Sequence, residues 1–290
     1  MTNRCISGVG PARLATDAPV PDVLVTARVV HVGRTSVVLR TADGTLVPVT
    51  SAAHGLVPGG VCLAAAAGDP GPALRAVAGA APNRDLWLTS LQGAPRVDLV
   101  VPKGAVDAGA ARALLTGALV AASSGGGRGV MDPGPARRGA RTLVGAAAGD
   151  DPRGVRAVLH RLVGVGPGST PSGDDAVVGV LAGLDRRDDA AAARAGAAIR
   201  RALPAVLHRT TSLSRHALAA ALRGQVAERV QLLVAATADA ALVPGALASA
   251  RTWGASSGLD LAAGVGAGAL GDAAAAHPPA RPADEHRRTA

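Results

Sequence analysis

A chain of 290 residues with no Phe and no Tyr must fill its interior with small and aliphatic side chains. Trp87 and Trp253 supply the only large rings, so Ala, Val and Leu have to make the core. At this length a folded chain buries about 75% of the surface its unfolded form exposes, so that core is sizeable. Small side chains let helix axes approach closely, which predicts tight helix-on-helix packing rather than bulky layers.

The chain carries 30 basic and 21 acidic residues, a formal charge of +9. That balance alone would fit a nucleic-acid partner. Two features argue against one. Every basic residue except Lys103 is Arg, scattered rather than clustered, and no aromatic platform exists on which bases could stack. Arg in place of Lys, beside abundant Ala, Gly and Pro, is what a GC-rich coding sequence produces. Cys5 and Cys62 form neither a CxxC pair nor a disulfide framework, which fits a reducing compartment. The first residues lack the apolar run of a signal peptide, and no long uncharged segment is free of Pro or clustered Gly. The expectation is a cytoplasmic protein with no nucleic-acid and no membrane partner.

The chain divides by pattern into an α+β protein. Residues 1–20 read as a loose polar lead-in. VLVTARVV, TSVVLR and TLVPVT are β-branched runs, the last two separated by Asp43-Gly44, a hairpin signal. Val61 to Ala65, Leu86 to Ser90 and Val97 to Val101 add short strands, giving a barrel-like, β-rich module over residues 1–103. A mainly helical domain follows over 104–276. AGAARALLTGALVAA is its first helix, and Ser123 to Arg141 reads as a Gly/Arg/Pro loop. Helices are then expected from Asp151-Pro152 to about Leu162, over Asp188 to His208 with Pro204 bending or ending it, and over Ser212–Arg223, Gln225–Ala238 and Val243–Ala250. The last starts at Ser257, and 277–290 reads as a disordered tail.

The chemistry concentrates in GVGPGSTPSGDDAVVGVLAGL, Gly164 to Leu184. Gly164, Gly166 and Gly168, followed by Ser169 and Thr170, place amide and hydroxyl donors just before a helix. Such a turn suits an anion. It is not a Walker loop, which needs Gly-Lys-Ser/Thr, nor a dinucleotide fingerprint. Charge to balance a bound phosphate must come from elsewhere. Asp174 and Asp175 could hold a bridging Mg²⁺. Arg209, in HRTTSLS, could grip a phosphate or carboxylate with two parallel bonds. His208 and His216 read as structural, and no spacing suggests zinc.

The motif recurs as SSGLDLAAGVGAGAL, Ser256 to Leu270. With Ser257 under Ser172, Gly258 matches Gly173, Asp260 matches Asp175, and Gly264 and Gly268 match Gly179 and Gly183. Internal repetition points to a repeated structural unit. Ser172 and Ser257 are expected to cap their helices, with Asp175 and Asp260 at the positive end of each dipole. Glycines four apart share one helical face. Glycine inside a helix costs about 1 kcal/mol relative to alanine, so close backbone contact must compensate. If the two glycine faces meet in register, the two helix starts converge.

GVGPGSTPSGDD, RTTSLSRHAL and GASSGLDLAAG, in this order, resemble the AllH-like family over about Gly164 to Leu270. The strand-rich front fits more loosely. The resemblance implies a subunit of an oxamate carbamoyltransferase, a multi-subunit enzyme of purine and allantoin breakdown, working beside FdrA-like and other partner subunits. The implied chemistry moves a carbamoyl group between phosphate and the nitrogen of a small oxoacid amide. Both ligands are anionic, so the site needs N–H donors and arginine, and an aspartate to take a proton. By motif match the site comprises Thr170, Ser172, Gly173, Arg209, Thr211, Ser257 and Gly258 as binding residues. Gly166 and Gly168 join them from the turn, and Asp174, Asp175 and Asp260 are the catalytic candidates. The alternative is a non-catalytic binding or scaffold subunit, in which Ser-Gly-Asp-Asp merely caps a buried helix.

Overall fold

The computed structural model describes residues 12–15, 25–33, 36–63, 86–88, 94–123 and 134–271. Its strands are β1 (Ala12–Ala15), β2 (Val25–Val32), β3 (Ser36–Thr41), β4 (Leu46–Ser51), β5 (Val61–Leu63), β6 (Leu86–Leu88) and β7 (Arg96–Val97). They form one mixed sheet in the order β6-β2-β3-β4-β5-β1-β7. The β2–β3–β4 meander is antiparallel, while β5 runs parallel to β4. Asp43-Gly44 turns β3 into β4 as expected. Gly44 takes φ +88°, and Asp43 accepts from the Thr45 amide at 3.1 Å and from the Thr41 hydroxyl.

Two expectations about this region are corrected. The sheet is not closed: among the described residues β6 and β7 stand at opposite ends of the order and do not pair. Closure needs two edge strands long enough to hydrogen-bond, and these have three and two residues. The polar lead-in is also not wholly loose, because Ala12–Ala15 inserts between β5 and β7.

The helices are α1 (Ala108–Ser123), α2 (Gly134–Ala148), α3 (Pro152–Leu162), α4 (Ser172–Arg186), α5 (Ala190–Ala202), α6 (Ser212–Leu222), α7 (Glu228–Ala236), α8 (Val243–Ala250) and α9 (Ser257–Leu270). The chain is thus of the α+β class. Part of the expected loop Ser123–Arg141 is helix. Its Gly, Pro and Arg content hid a buried face of Ala136, Arg137, Ala140, Leu143, Val144 and Ala147. The expected long helix Asp188–His208 is shorter: Asp189 caps α5 with an acceptor for the Ala192 amide, and a 3₁₀ turn over Leu203–Arg209 takes in Pro204. The tail 277–290 lies outside the described residues.

The centre of the helical part is α4 beside α9. Every residue of α4 from Ser172 to Leu184 is buried, as is α9 from Asp260 to Leu270. Helices apolar on all sides belong in a core. Their glycines mesh in parallel register: a Cβ on Gly179 would lie 2.9 Å from the Gly264 Cα, and one on Gly183 3.0 Å from the Gly268 carbonyl carbon. On the far side of α9, a Cβ on Gly266 would lie 2.8 Å from the Leu115 amide nitrogen of α1. Small residues four apart let helix backbones touch. That is how a core without Phe and Tyr reaches close packing.

The sheet docks on α6 and α7. Glu228 accepts from Arg13 at 2.6 and 2.9 Å and from the Leu56 amide at 2.9 Å. Its carboxyl is held below the usual range chiefly by the Arg13 hydrogen bond. His216 Nε2 lies 2.8 Å from the Pro58 carbonyl, a structural role as expected. Among the described residues no helix is long and apolar enough to cross a membrane.

Candidate functional site

The repeated motif is a repeated structure. In the first copy α3 ends at Leu162, a turn follows, and Gly173 packs onto the Leu162 carbonyl. In the second, α8 ends at Ala250, a shorter turn follows, and Gly258 packs onto the Ala250 carbonyl. The Gly173 amide donates to Val165 O at 3.0 Å and the Gly258 amide to Trp253 O at 3.3 Å. A side chain at either glycine would collide with the backbone of the preceding helix, so the motif's Gly is required in both places. In the first turn Gly166 takes φ +126°, which an L side chain rarely adopts.

Because α4 and α9 are parallel, their starts lie side by side. Thr170 Oγ1 and Ser257 Oγ are 3.0 Å apart, and so are Ser172 Oγ and Ser256 Oγ. This corrects the capping expectation. Ser172 and Ser257 are the first helical residues, and the cap positions, Pro171 and Ser256, make no side-chain cap bond. The motif hydroxyls are spent on the partner helix start instead. The first-turn amides are also occupied: Asp174 N and Asp175 N donate to Pro171 O, and Leu259 N and Asp260 N to Ser256 O. An anion here would meet hydroxyls and side-chain cations rather than the α4 and α9 amides.

The three aspartates have different surroundings. Asp174 accepts from the Gly164 amide at 2.9 Å and from the Thr210 hydroxyl, tying the glycine turn and the start of α6 to α4. Burial pushes its carboxyl up, against the pull of those bonds. Asp260 is fully buried and meets Arg137 Nε at 2.6 Å, while the same guanidinium donates to Ala118 O at 2.8 Å. Burial also raises Asp260, opposed first by Arg137. Asp175 is 8% exposed, and its Oδ2 has no hydrogen-bond partner. Burial drives its carboxyl well above the ordinary range. The charges of Asp260 and Asp174 add to this, while Ser257 and Arg229 oppose it.

Arg229 went unseen in the sequence. It lies on α7, close enough to Asp175 for each to bias the other's ionisation. Its guanidinium stands 5.3 Å from the Trp253 ring centroid and 3.5 Å from His54 Nδ1, at the seam with the sheet. Its Nε is buried without a hydrogen-bond partner. Arg137 and Thr210 were missed as well. Arg137 sat in an apparent loop, and Arg229 in a helix with nothing to mark it. Thr210 is next to Thr211, the residue chosen from HRTTSLS, so that signal was one position off.

The structure brings Thr170, Ser172, Ser257, Asp175 and Asp260 together at the two helix starts. Gly166 and Gly168 form the turn above them, with Gly168 open to solvent. Thr211 caps α6 and donates to Ser169 O at 2.6 Å, so it anchors the turn. Arg209 is exposed, donates to the His160 carbonyl at 3.3 Å, and backs the turn at Gly164. Each Asp174 oxygen accepts one hydrogen bond, from Gly164 and from Thr210, while Asp175 Oδ2 accepts none. Among the described residues no group of three or more His, Cys, Asp or Glu side chains is placed to hold a metal.

By architecture this is an α+β protein whose helical part is organised on an internally repeated helix start. Residues 162–269, the segment that holds both copies, match the family model described as oxamate carbamoyltransferase subunit AllH. The match leaves the strand-rich part outside it. Comparison with curated proteins and with solved structures returns no match.

Proposed function

We propose that this chain is a subunit of an oxamate carbamoyltransferase-type assembly, acting with FdrA-like and other partner subunits, and that the joined starts of α4 and α9 receive a small anionic metabolite. One observation carries the reading. The segment matching the family model folds so that both copies of its motif meet, and the buried carboxyls there, Asp175 and Asp260, each keep an oxygen without a hydrogen-bond partner. In this reading Arg229 balances the anion, with Thr170 and Ser257 at the rim. Asp175, with its raised proton affinity, accepts or returns a proton. Asp174 and Asp260 hold the framework through Thr210 and Arg137.

The test is binding of inorganic phosphate, carbamoyl phosphate and oxamate to the purified full chain, each with and without Mg²⁺. A ligand at 100 times its Kd adds about 2.7 kcal/mol of stability. Binding independent of Mg²⁺ supports an arginine-and-hydroxyl site. Binding that requires Mg²⁺ puts the charge balance elsewhere, and no binding of any ligand overturns the reading.

A scaffold subunit is the second reading, and the internally satisfied first-turn amides favour it. Asp175→Asn separates the two in the assembled complex. It abolishes turnover with assembly intact under the first reading. Under the second, turnover follows assembly alone.

A further inference from the structure

We infer that the recess between α2 and α3 binds a small carboxylic acid with an apolar body, its chain in the recess and its carboxylate at Arg138 and Arg161. This goes beyond the assembly reading and does not depend on it. The recess measures about 470 Å³. Small-molecule sites run from about 300 to 1,000 Å³, mostly apolar with a few polar groups at fixed places. Here Ala136 of α2, Val158 and Leu162 of α3 and Val165 of the glycine turn supply the apolar lining. Val165 is 42% exposed, so the recess leaves in water an apolar surface that an apolar body would cover. Gly139 lines the same recess, and a Cβ there would lie 2.6 Å from Leu162 Cδ2. A larger residue at that position would close part of the space.

The charge around the recess has one sign. Residues 134–162 contain six arginines and two aspartates, and neither aspartate lies within α2 or α3. Asp151 is spent as the α3 cap, accepting from the Gly154 amide, and Arg137 is turned inward on Asp260. Arg138 and Arg161 line the recess, one from each helix. Both are exposed, and among the described residues neither guanidinium has a hydrogen-bond or ion-pair partner. An ammonium would be repelled there, and inorganic phosphate has no apolar part to set against Val158 and Leu162. A carboxylate on a short hydrocarbon satisfies the arginines and the lining together. The occupant would also touch the first motif copy. Leu162 carries the carbonyl on which Gly173 packs, and the Val165 carbonyl accepts from the Gly173 amide at 3.0 Å. The recess thus lies against the turn that positions the start of α4.

Ligand-observed NMR titration of the full chain tests this with butanoate, hexanoate, hexylammonium and 1-hexanol. Hexanoate is expected to bind about tenfold more tightly than butanoate, because two further methylenes enter the recess. It is expected to exceed hexylammonium and 1-hexanol by at least about tenfold, because only the carboxylate meets the arginines. Arg138→Gln and Arg161→Gln each weaken hexanoate about tenfold. Arg153→Gln, on α3 but outside the recess, changes it by less than about twofold. Equal affinity across chain length overturns the assignment, since charge alone would then be read. Equal binding of hexylammonium overturns it as well, as do equal losses in all three arginine variants, which would make the general basic surface responsible. Absence of hexanoate binding overturns it outright and leaves the assembly reading standing. The ligand series on the wild-type chain requires no variant, so a variant that fails to fold does not remove the test.

Discussion

Gly179 and Gly264 face each other across the centre of the helical part so closely that a Cβ on either would lie within 2.9 Å of the other's Cα. Intrinsic propensity favours alanine over glycine in a helix by about 1 kcal/mol. Contact reverses that preference here, because the obstructing atoms are backbone and cannot turn aside. Gly179→Ala and Gly264→Ala are each expected to destabilise the chain by about 2 kcal/mol or more. Gly245 on α8 has open space around its Cβ position and no positive φ. Gly245→Ala is expected to stabilise by about 0.4–1 kcal/mol. Urea denaturation of the three variants checks the contrast, and a neutral Gly179→Ala would contradict the packing.

The Arg137–Asp260 pair predicts an asymmetry. Removing one partner of a buried pair costs about 3–5 kcal/mol, because the other charge stays desolvated. Asp260 can escape by taking a proton, for which burial already raises its affinity. Arg137 cannot. Asp260→Ala is therefore expected to cost more than Arg137→Met, and Arg137→Met to cost less at pH 5 than at pH 8. The double variant should recover most of the loss. A double-mutant cycle measured at both pH values decides it.

Much of this was legible in the sequence, for identifiable reasons. The glycine faces, the repeat and the α9 start at Ser257 follow from spacing, because four-residue periodicity is a local property of a helix. The Asp43-Gly44 hairpin is equally local. What could not be read were pairings at long range. Ser172 and Ser257 looked like caps because a hydroxyl before an apolar run nearly always is one. Only the crossing of α4 and α9 redirects them to Ser256 and Thr170. Arg137 was hidden by glycine and proline neighbours, and Arg229 by an ordinary amphipathic helix. An arginine's burial is decided by tertiary neighbours, and Arg usage in this chain is too heavy for any single one to stand out.

Asp175 makes a prediction about pH. A carboxyl raised in the folded state contributes most stability below its unfolded value near 3.8 and loses that contribution as pH climbs through its folded value. Asp175→Asn removes the titration. The variant is expected to match the wild type near pH 4 and to exceed it progressively toward pH 8. Asp174 and Asp260 shift in the same direction, so the difference between the two proteins is the quantity to follow. Thermal unfolding across that range measures it. A variant less stable than wild type at pH 8 would show that the charged form of Asp175 is favoured by the fold.

His54 works in the opposite sense. Burial first, and the Arg229 charge second, lower its imidazole from 6.5 to about 4. The folded chain therefore holds this ring neutral while the unfolded chain protonates it. Its contribution is present above pH 6.5 and is lost as pH falls toward about 4, by up to about 3 kcal/mol. His54→Gln keeps a polar group at the seam without the titration, so its stability should decline less steeply than that of the wild type between those values. The aspartates oppose this slope in both proteins, and subtraction cancels them. If His54 also positions Arg229, the same variant weakens binding of phosphate and oxamate alike at pH 7.5, where no proton is involved. Parallel slopes with unchanged binding would mean that the ring neither titrates in the seam nor supports the guanidinium.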